Sequence, residues 1–325
     1  MQDRMINRAK ELLQNGTVNR VLAWETGEFD YDITPAVFTS AEELDAKFVY
    51  NSLACANLSK YLIKESKKDG KILVFLKPCD SYSLVQLIKE HRVNRDNVYI
   101  IGIECFGKTD IEKIKARGIS GISKIYDGST LKVETIYGDT VEIPQHEVMA
   151  ERCLSCKSKK IVIYDELLGD NGRVVEDCNR FDMVEKLEAM TPEERFAFWQ
   201  NELSKCIRCN ACRNVCPACS CEKCVFDNDN SGVAQKAAAN SFEESMFHII
   251  RAFHVAGRCT DCGECSRVCP QHIPLHLLNR KFIKDANELY GEYQAGADFE
   301  TRPPVVNFTF DDPEPDIVYE RGGAE

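Results

Sequence analysis

Two cysteine runs near the C-terminal end give the clearest chemical signal in this sequence. They span residues 206–217 and 259–270, and each reads C-x2-C-x2-C-x3-C-P. This spacing wraps three thiolates around one face of a [4Fe-4S] cluster, while the fourth cysteine reaches the neighbouring cluster. Zinc sites normally pair two C-x2-C knuckles, so zinc and disulfides are both disfavoured. The two runs therefore predict two clusters and one-electron transfer.

The predicted ligand sets cross between the runs. The first set, named here the Cys206 set, comprises Cys206, Cys209, Cys212 and Cys269. The second, the Cys259 set, comprises Cys259, Cys262, Cys265 and Cys216.

Four cysteines of the N-terminal half form a third candidate set. Cys79 and Cys105 each follow a predicted buried strand, and Cys153 and Cys156 form a C-x2-C pair. Ligands of open α/β sheets bind at the carboxyl ends of the strands, where the loops face a crevice. A free cysteine is otherwise a small buried apolar residue. The matching positions and the number of thiols nevertheless favour a third [4Fe-4S] cluster.

The ferredoxin pattern leaves three nearby cysteines unused, namely Cys219, Cys221 and Cys224. They are either structural thiols beside a cluster or ligands of a further metal such as zinc, for which Cys178 is the nearby candidate for the fourth ligand. Cys55 is unassigned. His248 and His254 lie on or beside a predicted helix over 242–256 and are interpreted as packed side chains, not as ligands or proton carriers.

Alternating elements are expected to position the N-terminal thiols. The apolar runs at residues 71–76 and 97–103 predict buried strands, and helical spacing follows at 81–90 and 110–117. Strand, helix, strand, helix indicates an α/β domain with a mostly parallel sheet. Further predicted elements are a helix over 3–14, a strand over 20–24, an amphipathic helix over 48–64, a hairpin around 137–139 and a strand beginning at 161.

The domain organisation follows from these elements and from the cysteine runs. Residues 1–180 are expected to form the α/β domain, and residues 181–290 a small α-helical ferredoxin-like domain with two [4Fe-4S] clusters. A helix start at Thr191, with Pro192 at its first position, leads into the first run. Residues 291–325 are rich in acids and prolines and are predicted to form an extended acidic tail.

Composition restricts the class of protein. The chain has 325 residues, 44% of them hydrophobic, which suffices for two domains with cores. Its 17 cysteines, with no basic-then-apolar leader after Met1, indicate a reducing, cytoplasmic location. The apolar runs are too short to span a membrane. A net charge of −11 argues against a nucleic-acid partner.

Several of these segments carry a family resemblance. Residues 76–80 (Leu-Lys-Pro-Cys-Asp), 101–105 (Ile-Gly-Ile-Glu-Cys) and 152–156 (Arg-Cys-Leu-Ser-Cys) resemble the beta subunits of deazaflavin (coenzyme F420)-reducing hydrogenases and deazaflavin-dependent formate dehydrogenases. Residues 206–224 and 256–270 resemble the formate dehydrogenase branch and related heterodisulfide-reductase-linked subunits.

The resemblance implies an iron-sulfur flavoprotein that holds FAD in its α/β domain. A pocket for the flavin is expected outside the carboxyl ends of the strands that end near Leu76 and Ile103. The candidate contacts are Asn51, Ser52, Lys77 and Asp80.

The predicted function is electron transfer within an anaerobic multisubunit oxidoreductase of the formate dehydrogenase, hydrogenase or heterodisulfide-reductase type. The chain would relay electrons between a flavin or a catalytic subunit and the clusters of a partner. The alternative is a flavin-free iron-sulfur wire and docking adaptor between a catalytic subunit and a bifurcating or disulfide-reducing core. A redox-sensing regulator is disfavoured, since no basic DNA-reading element is visible.

Overall fold

The computed structural model describes residues 1–157, 160–171, 179–228 and 241–306. These residues fold into an N-terminal α/β domain followed by a smaller helical domain. The elements of the first domain are α1 (Gln2–Gln14), β1 (Arg20–Thr26), β2 (Ile33–Phe38), α2 (Ala41–Lys47), α3 (Leu62–Glu65), β3 (Ile72–Leu76), α4 (Pro78–Lys89), β4 (Val98–Ile103), α5 (Ile111–Lys115), β5 (Ile122–Tyr126), β6 (Thr130–Thr135), β7 (Thr140–Pro144), α6 (Glu151–Leu154) and β8 (Glu166–Leu168). The helices of the second are α7 (Asp182–Glu188), α8 (Pro192–Ser204), α9 (Ala211–Val215), α10 (Ser241–His254), α11 (Glu264–Arg267) and α12 (His276–Tyr290).

The larger sheet has the strand order β2-β1-β3-β4-β8. Its strands β1, β3, β4 and β8 are parallel, and β2 is antiparallel at one edge. Every residue of β3 is fully buried, as expected for an apolar run that is covered on both faces. The predicted α/β domain with a mostly parallel sheet is therefore confirmed. The edge strand β2 was not predicted, because the stretch after residue 24 is acidic; the strand contains Pro35, which is tolerated at sheet edges.

A second, antiparallel sheet has the order β5-β6-β7. The hairpin of β6 and β7 is the predicted one, and Gly138 supplies the left-handed backbone conformation in its turn, with φ of 89°.

The predicted helix over residues 48–64 is wrong. Only a 3-10 turn at Ser59–Tyr61 and the short α3 are helical in this segment. Two side chains hold the backbone in turns instead, because the Asn51 Oδ1 atom accepts from the Leu53 amide at 2.8 Å and the Asn57 Oδ1 atom accepts from the Ser59 amide at 3.0 Å. Asparagine side chains compete with helix in this way. The helical spacing of the apolar residues instead reflects a buried, irregular loop.

The helical domain is built around its cysteines. Helix α8 begins with the predicted cap, in which the Thr191 Oγ1 atom accepts from the Glu194 amide at 3.2 Å and the Glu194 carboxylate accepts from the Thr191 amide at 2.9 Å. Cys212 and Cys265 belong to one hydrophobic core with the buried residues Leu203, Phe226, Phe247, Ile273 and Leu275.

The segment after α12 differs in part from the predicted extended tail. Tyr293 and Ala295 are buried, and the Tyr293 hydroxyl donates to the Gly257 carbonyl oxygen at 2.9 Å. An aromatic ring with a satisfied hydroxyl docks this stretch despite its acidic surroundings. Residues 307–325 of the predicted tail lie outside the described residues. Across the ranges that the structure describes, no helix is both long enough and apolar enough to cross a membrane.

Candidate iron-sulfur centre

The two cysteine runs adopt the same backbone conformation. Arg208 and Asp261 occupy equivalent places in the two runs, and their φ angles are 54° and 58°. Asn210 and Gly263 are likewise equivalent, with φ angles of 61° and 68°. In each run the amide of the first left-handed residue donates to the first cysteine: Arg208 to the Cys206 Sγ atom at 3.4 Å, and Asp261 to the Cys259 thiol. Each run then enters a short helix, α9 or α11.

The fourth cysteine of the second run lies with the first three cysteines of the first run. Cys206, Cys209, Cys212 and Cys269 line one cavity. Burial raises the pKa of the Cys212 thiol to about 12, and the nearby thiols of Cys265, Cys206 and Cys269 raise it as well. Cys216, the fourth cysteine of the first run, lies beside the first cysteines of the second run. Burial raises the pKa values of Cys259 and Cys262 above the usual range, and the neighbouring Cys216 adds to both shifts.

Two buried basic side chains face these thiols. In the described part of the chain, neither ring nitrogen of His248 has a hydrogen-bond partner, and the Nε and Nη1 atoms of Arg251 have none either. His248 lines the cavity of the Cys206 set, and the guanidinium of Arg251 interacts with the thiols of Cys265 and Cys212. Burial, together with Arg251 and Arg208, lowers the pKa of His248 to about 3, so the ring is neutral at pH 7. Because a cubane presents acceptor sulfurs to such donors, the residues fit a [4Fe-4S] cluster.

The third candidate set gathers at the carboxyl edge of the larger sheet. Cys79 lies in the first turn of α4 after β3, and Cys105 follows β4. Burial raises the pKa of the Cys79 thiol, and the nearby Cys156 thiol raises it further. Burial likewise raises the pKa of the Cys153 thiol, and the nearby thiols of Cys105 and Cys55 add to this shift. The fold thus places Cys79 near Cys156 and Cys153 near Cys105, with Cys55 beside the second pair.

The three extra cysteines do not converge on one point. Cys219 lies within hydrogen-bonding reach of Cys216 and lowers its pKa to about 6, whereas Cys221 is exposed and Cys224 interacts with Arg213. Among the described residues, no group of three or more His, Cys, Asp or Glu residues could hold a single metal ion. Cys178 lies outside the described residues.

The four candidate flavin contacts are engaged by protein groups. Lys77 and Asp80 are fully buried, and the Lys77 Nζ atom donates to Asp80 Oδ2 at 2.7 Å and to the Ala56 carbonyl oxygen at 2.8 Å. The Ser52 amide donates to Asp127 at 2.9 Å, and its hydroxyl accepts from Thr109. Asn51 accepts from the Leu53 amide. Asn51 and Ser52 were predicted to lie at the start of the helix over 48–64, but the structure has no helix at these two residues. Because Lys77 and Asp80 are fully buried and paired with each other, these two residues present no uncompensated charge to a flavin phosphate.

An apolar groove lies on the helical domain. Helices α7, α8, α10 and α12 enclose a cavity of about 870 Å³. Three phenylalanines that line it, Phe196, Phe242 and Phe253, are 68%, 69% and 61% exposed. Leu203 and Met246 line the groove and also pack in the core around the Cys206 set. The groove therefore lies next to that set.

Sequence reasoning missed several residues of this region. Arg251 and Glu264 carry no motif beyond their nearness to cysteines in the chain, and His248 was interpreted as a packed residue. Its burial agrees with that interpretation, but it also lines the cavity of the Cys206 set, and its ring nitrogens have no hydrogen-bond partner among the described residues.

Together the fold and the cysteine geometry define an iron-sulfur protein with a ferredoxin-type domain attached to an α/β domain. Residues 202–273 match the family described as a 4Fe-4S dicluster domain. The beta subunit of F420-dependent formate dehydrogenase from Methanocaldococcus jannaschii is 28% identical, over 92% of both chains. The F420-dependent formate dehydrogenase 1 subunit beta of Methanococcus maripaludis is also 28% identical, over 91% of both. The resemblance to this family of beta subunits is thus confirmed.

A chain in the F420-reducing [NiFe] hydrogenase complex from Methanosarcina barkeri is 14% identical, with a TM-score of 0.37 over 47% of this chain and 58% of that chain.

Proposed function

We propose that this chain is an electron-transfer subunit of a multisubunit oxidoreductase of the F420-dependent formate dehydrogenase type. The observation that carries the proposal is the pair of cysteine runs with the same backbone conformation, in which Cys269 of the second run lines one cavity with Cys206, Cys209 and Cys212 of the first. Bound [4Fe-4S] clusters would supply one-electron uptake and release. The chain's own residues would hold them, exclude water and set their potentials.

The proposed ligands are the Cys206 set for one cluster, the Cys259 set for the second, and Cys79, Cys105, Cys153 and Cys156 for the third. The proximity of the thiols within each set supports the assignment. In this proposal the N–H groups of His248 and Arg251 donate to sulfur atoms in the ferredoxin domain. Such hydrogen bonds and the positive charge of Arg251 favour the reduced state.

A flavin-free wire and docking adaptor is the second candidate. The resemblance implies FAD, but the closed pair of Lys77 and Asp80 favours the flavin-free alternative for this chain. A buried ion pair with both partners satisfied opens only at a cost of several kcal/mol.

A partner subunit is part of the proposal. The relatives are named as beta subunits of formate dehydrogenases. The groove with three exposed phenylalanines beside the Cys206 set supports a partner at that end of the molecule, because contiguous exposed apolar surface is typical of protein interfaces.

One anaerobic preparation tests both candidates when iron, sulfide, zinc and flavin are quantified on the same sample. Three clusters require about twelve irons per chain, and two require about eight. A chain replete with iron that contains no flavin and binds no added FAD is the flavin-free wire. A chain without acid-labile sulfide would contradict both candidates.

A further inference from the structure

Arg152 connects two cysteine sets that belong to different domains. It precedes Cys153 in α6, and its guanidinium crosses to the ferredoxin domain, where Nη1 donates to the Cys262 carbonyl oxygen at 3.0 Å. Its Nη2 atom donates to the Cys55 carbonyl oxygen at 2.9 Å. The two loops approach so closely that a Cβ atom on Gly263 would lie 2.7 Å from the Cβ atom of Arg152.

Glu264 balances this charge. Its carboxylate is fully buried and pairs with Arg152 and, at 2.8 Å, with Arg267. It also accepts from the Asn57 amide at 3.2 Å. Glu264 directly precedes the ligand Cys265, so the ion pair joins the third set to the Cys259 set.

The Cys206 set has other charged neighbours. The groups that act on Cys206 and Cys212 include Arg208, Arg251 and Glu244, and neither Arg152 nor Glu264 is among their main influences. The junction therefore acts on two of the three sets.

Resting on the function proposed above, we propose that Arg152 is a positioning residue for two cluster-binding loops at once. It orients the loops of the third set and of the Cys259 set against each other. Its positive charge, offset by Glu264, tunes the reduction potentials of these two sites but not that of the Cys206 site. A nearby cation stabilises the added electron and so raises the potential, and a nearby carboxylate lowers it.

The test is an anaerobic redox titration of the full-length holoprotein, followed by EPR, with dithionite as the one-electron donor. Arg152→Gln is expected to lower the potentials of the third and Cys259 sites, and Glu264→Gln to raise them. The Cys206 potential stays unchanged in both. Arg152→Lys is expected to restore most of the Arg152→Gln shift, since it retains the charge. Arg117→Gln, which removes an exposed charge of the same sign in the α/β domain, should shift none of the three.

At the third and Cys259 sites, the two variants are expected to shift the reduction potential in opposite directions. Loosened packing alone would not produce this opposition. Equal shifts at all three sites, or shifts of the same sign in both variants, would overturn the proposal. Should Arg152→Gln not yield folded protein, Glu264→Gln carries the test, because it must raise the same two potentials. The iron content of each sample distinguishes failure of the junction proposal from failure of the proposed electron-transfer function. If the third site holds no cluster, the junction proposal fails, whereas electron transfer through the two ferredoxin sites still stands.

Discussion

Removing the carboxylate of Glu264 should destabilise the chain far more than removing an exposed one. In Glu264→Gln the shape is kept, but Arg152 and Arg267 lose their shared partner in the interior. Burial opposes ionisation of Glu264, yet the two arginines lower its pKa from 4.5 to about 2, a difference worth about 3 kcal/mol. Deleting one partner of a buried ion pair costs about 3–5 kcal/mol. We expect a loss of about 3 kcal/mol at pH 7.

The pKa of Glu264 also fixes the pH dependence of this loss. Because the pKa is lowered in the folded chain, the stabilisation is complete above about 4.5 and disappears as the pH falls toward 2. The difference between wild type and variant should therefore be constant near neutrality and shrink only in this acid window.

The assay is the rate of unfolding in guanidinium under anaerobic conditions, since loss of clusters makes unfolding irreversible. Trp24 and Trp199 report on the α/β and helical domains by fluorescence. If the junction is broken in the transition state, about 3 kcal/mol raises the unfolding rate by up to about 100-fold. Glu147→Gln, in an exposed pair with Arg117, is the matched control and should cost about 0–1 kcal/mol. A Glu264→Gln rate no faster than that of the control would refute the reasoning.

Three further predictions concern iron content and assembly. Replacing Cys153 and Cys156 together by serine should remove about four irons per chain and leave about eight, and unchanged iron would argue against the third cluster. Cys216→Ala should damage the EPR signal of the Cys259 site rather than that of the Cys206 site, and the opposite pattern would mean that the sets do not cross. Phe196→Glu, at a side chain that is 68% exposed, should weaken co-purification with a catalytic subunit without changing iron content. Equal recovery of that subunit would remove the groove from the interface.

The parts of the fold that were predictable from sequence are those with a local signal. The run at residues 71–76 is continuous and apolar, so its burial as β3 followed directly from its composition. The two C-x2-C-x2-C-x3-C-P spacings are also local, and they predict [4Fe-4S] ligation without reference to the rest of the chain. The capping box at Thr191 is likewise complete within four residues.

The misjudged parts depend on partners far away in the chain. Residues 48–64 have helical spacing, but the Trp24 indole N–H donates to the Ala56 carbonyl oxygen, and the Asn57 amide donates to Glu264, which lies 207 residues away. No local pattern encodes such bonds. Lys77 and Asp80 were expected to face a ligand because they lie at the carboxyl edge of the sheet. They also form an ion pair with each other across three residues, and their complete burial is what the local sequence does not show.

Buried arginines explain how an acidic chain can enclose anionic groups. Thiolate-ligated iron-sulfur clusters are anionic, and burying a negative charge without a partner is costly. The net charge of −11 belongs to the whole chain, whereas the environment of each cysteine set includes a largely buried cation. Arg251 interacts with thiols of both ferredoxin sets, and Arg152 with those of Cys153 and Cys79. Their guanidinium groups stay charged at any physiological pH, so this compensation does not depend on protonation. The distribution of buried cations, more than the overall charge, therefore makes the interior suitable for holding electrons.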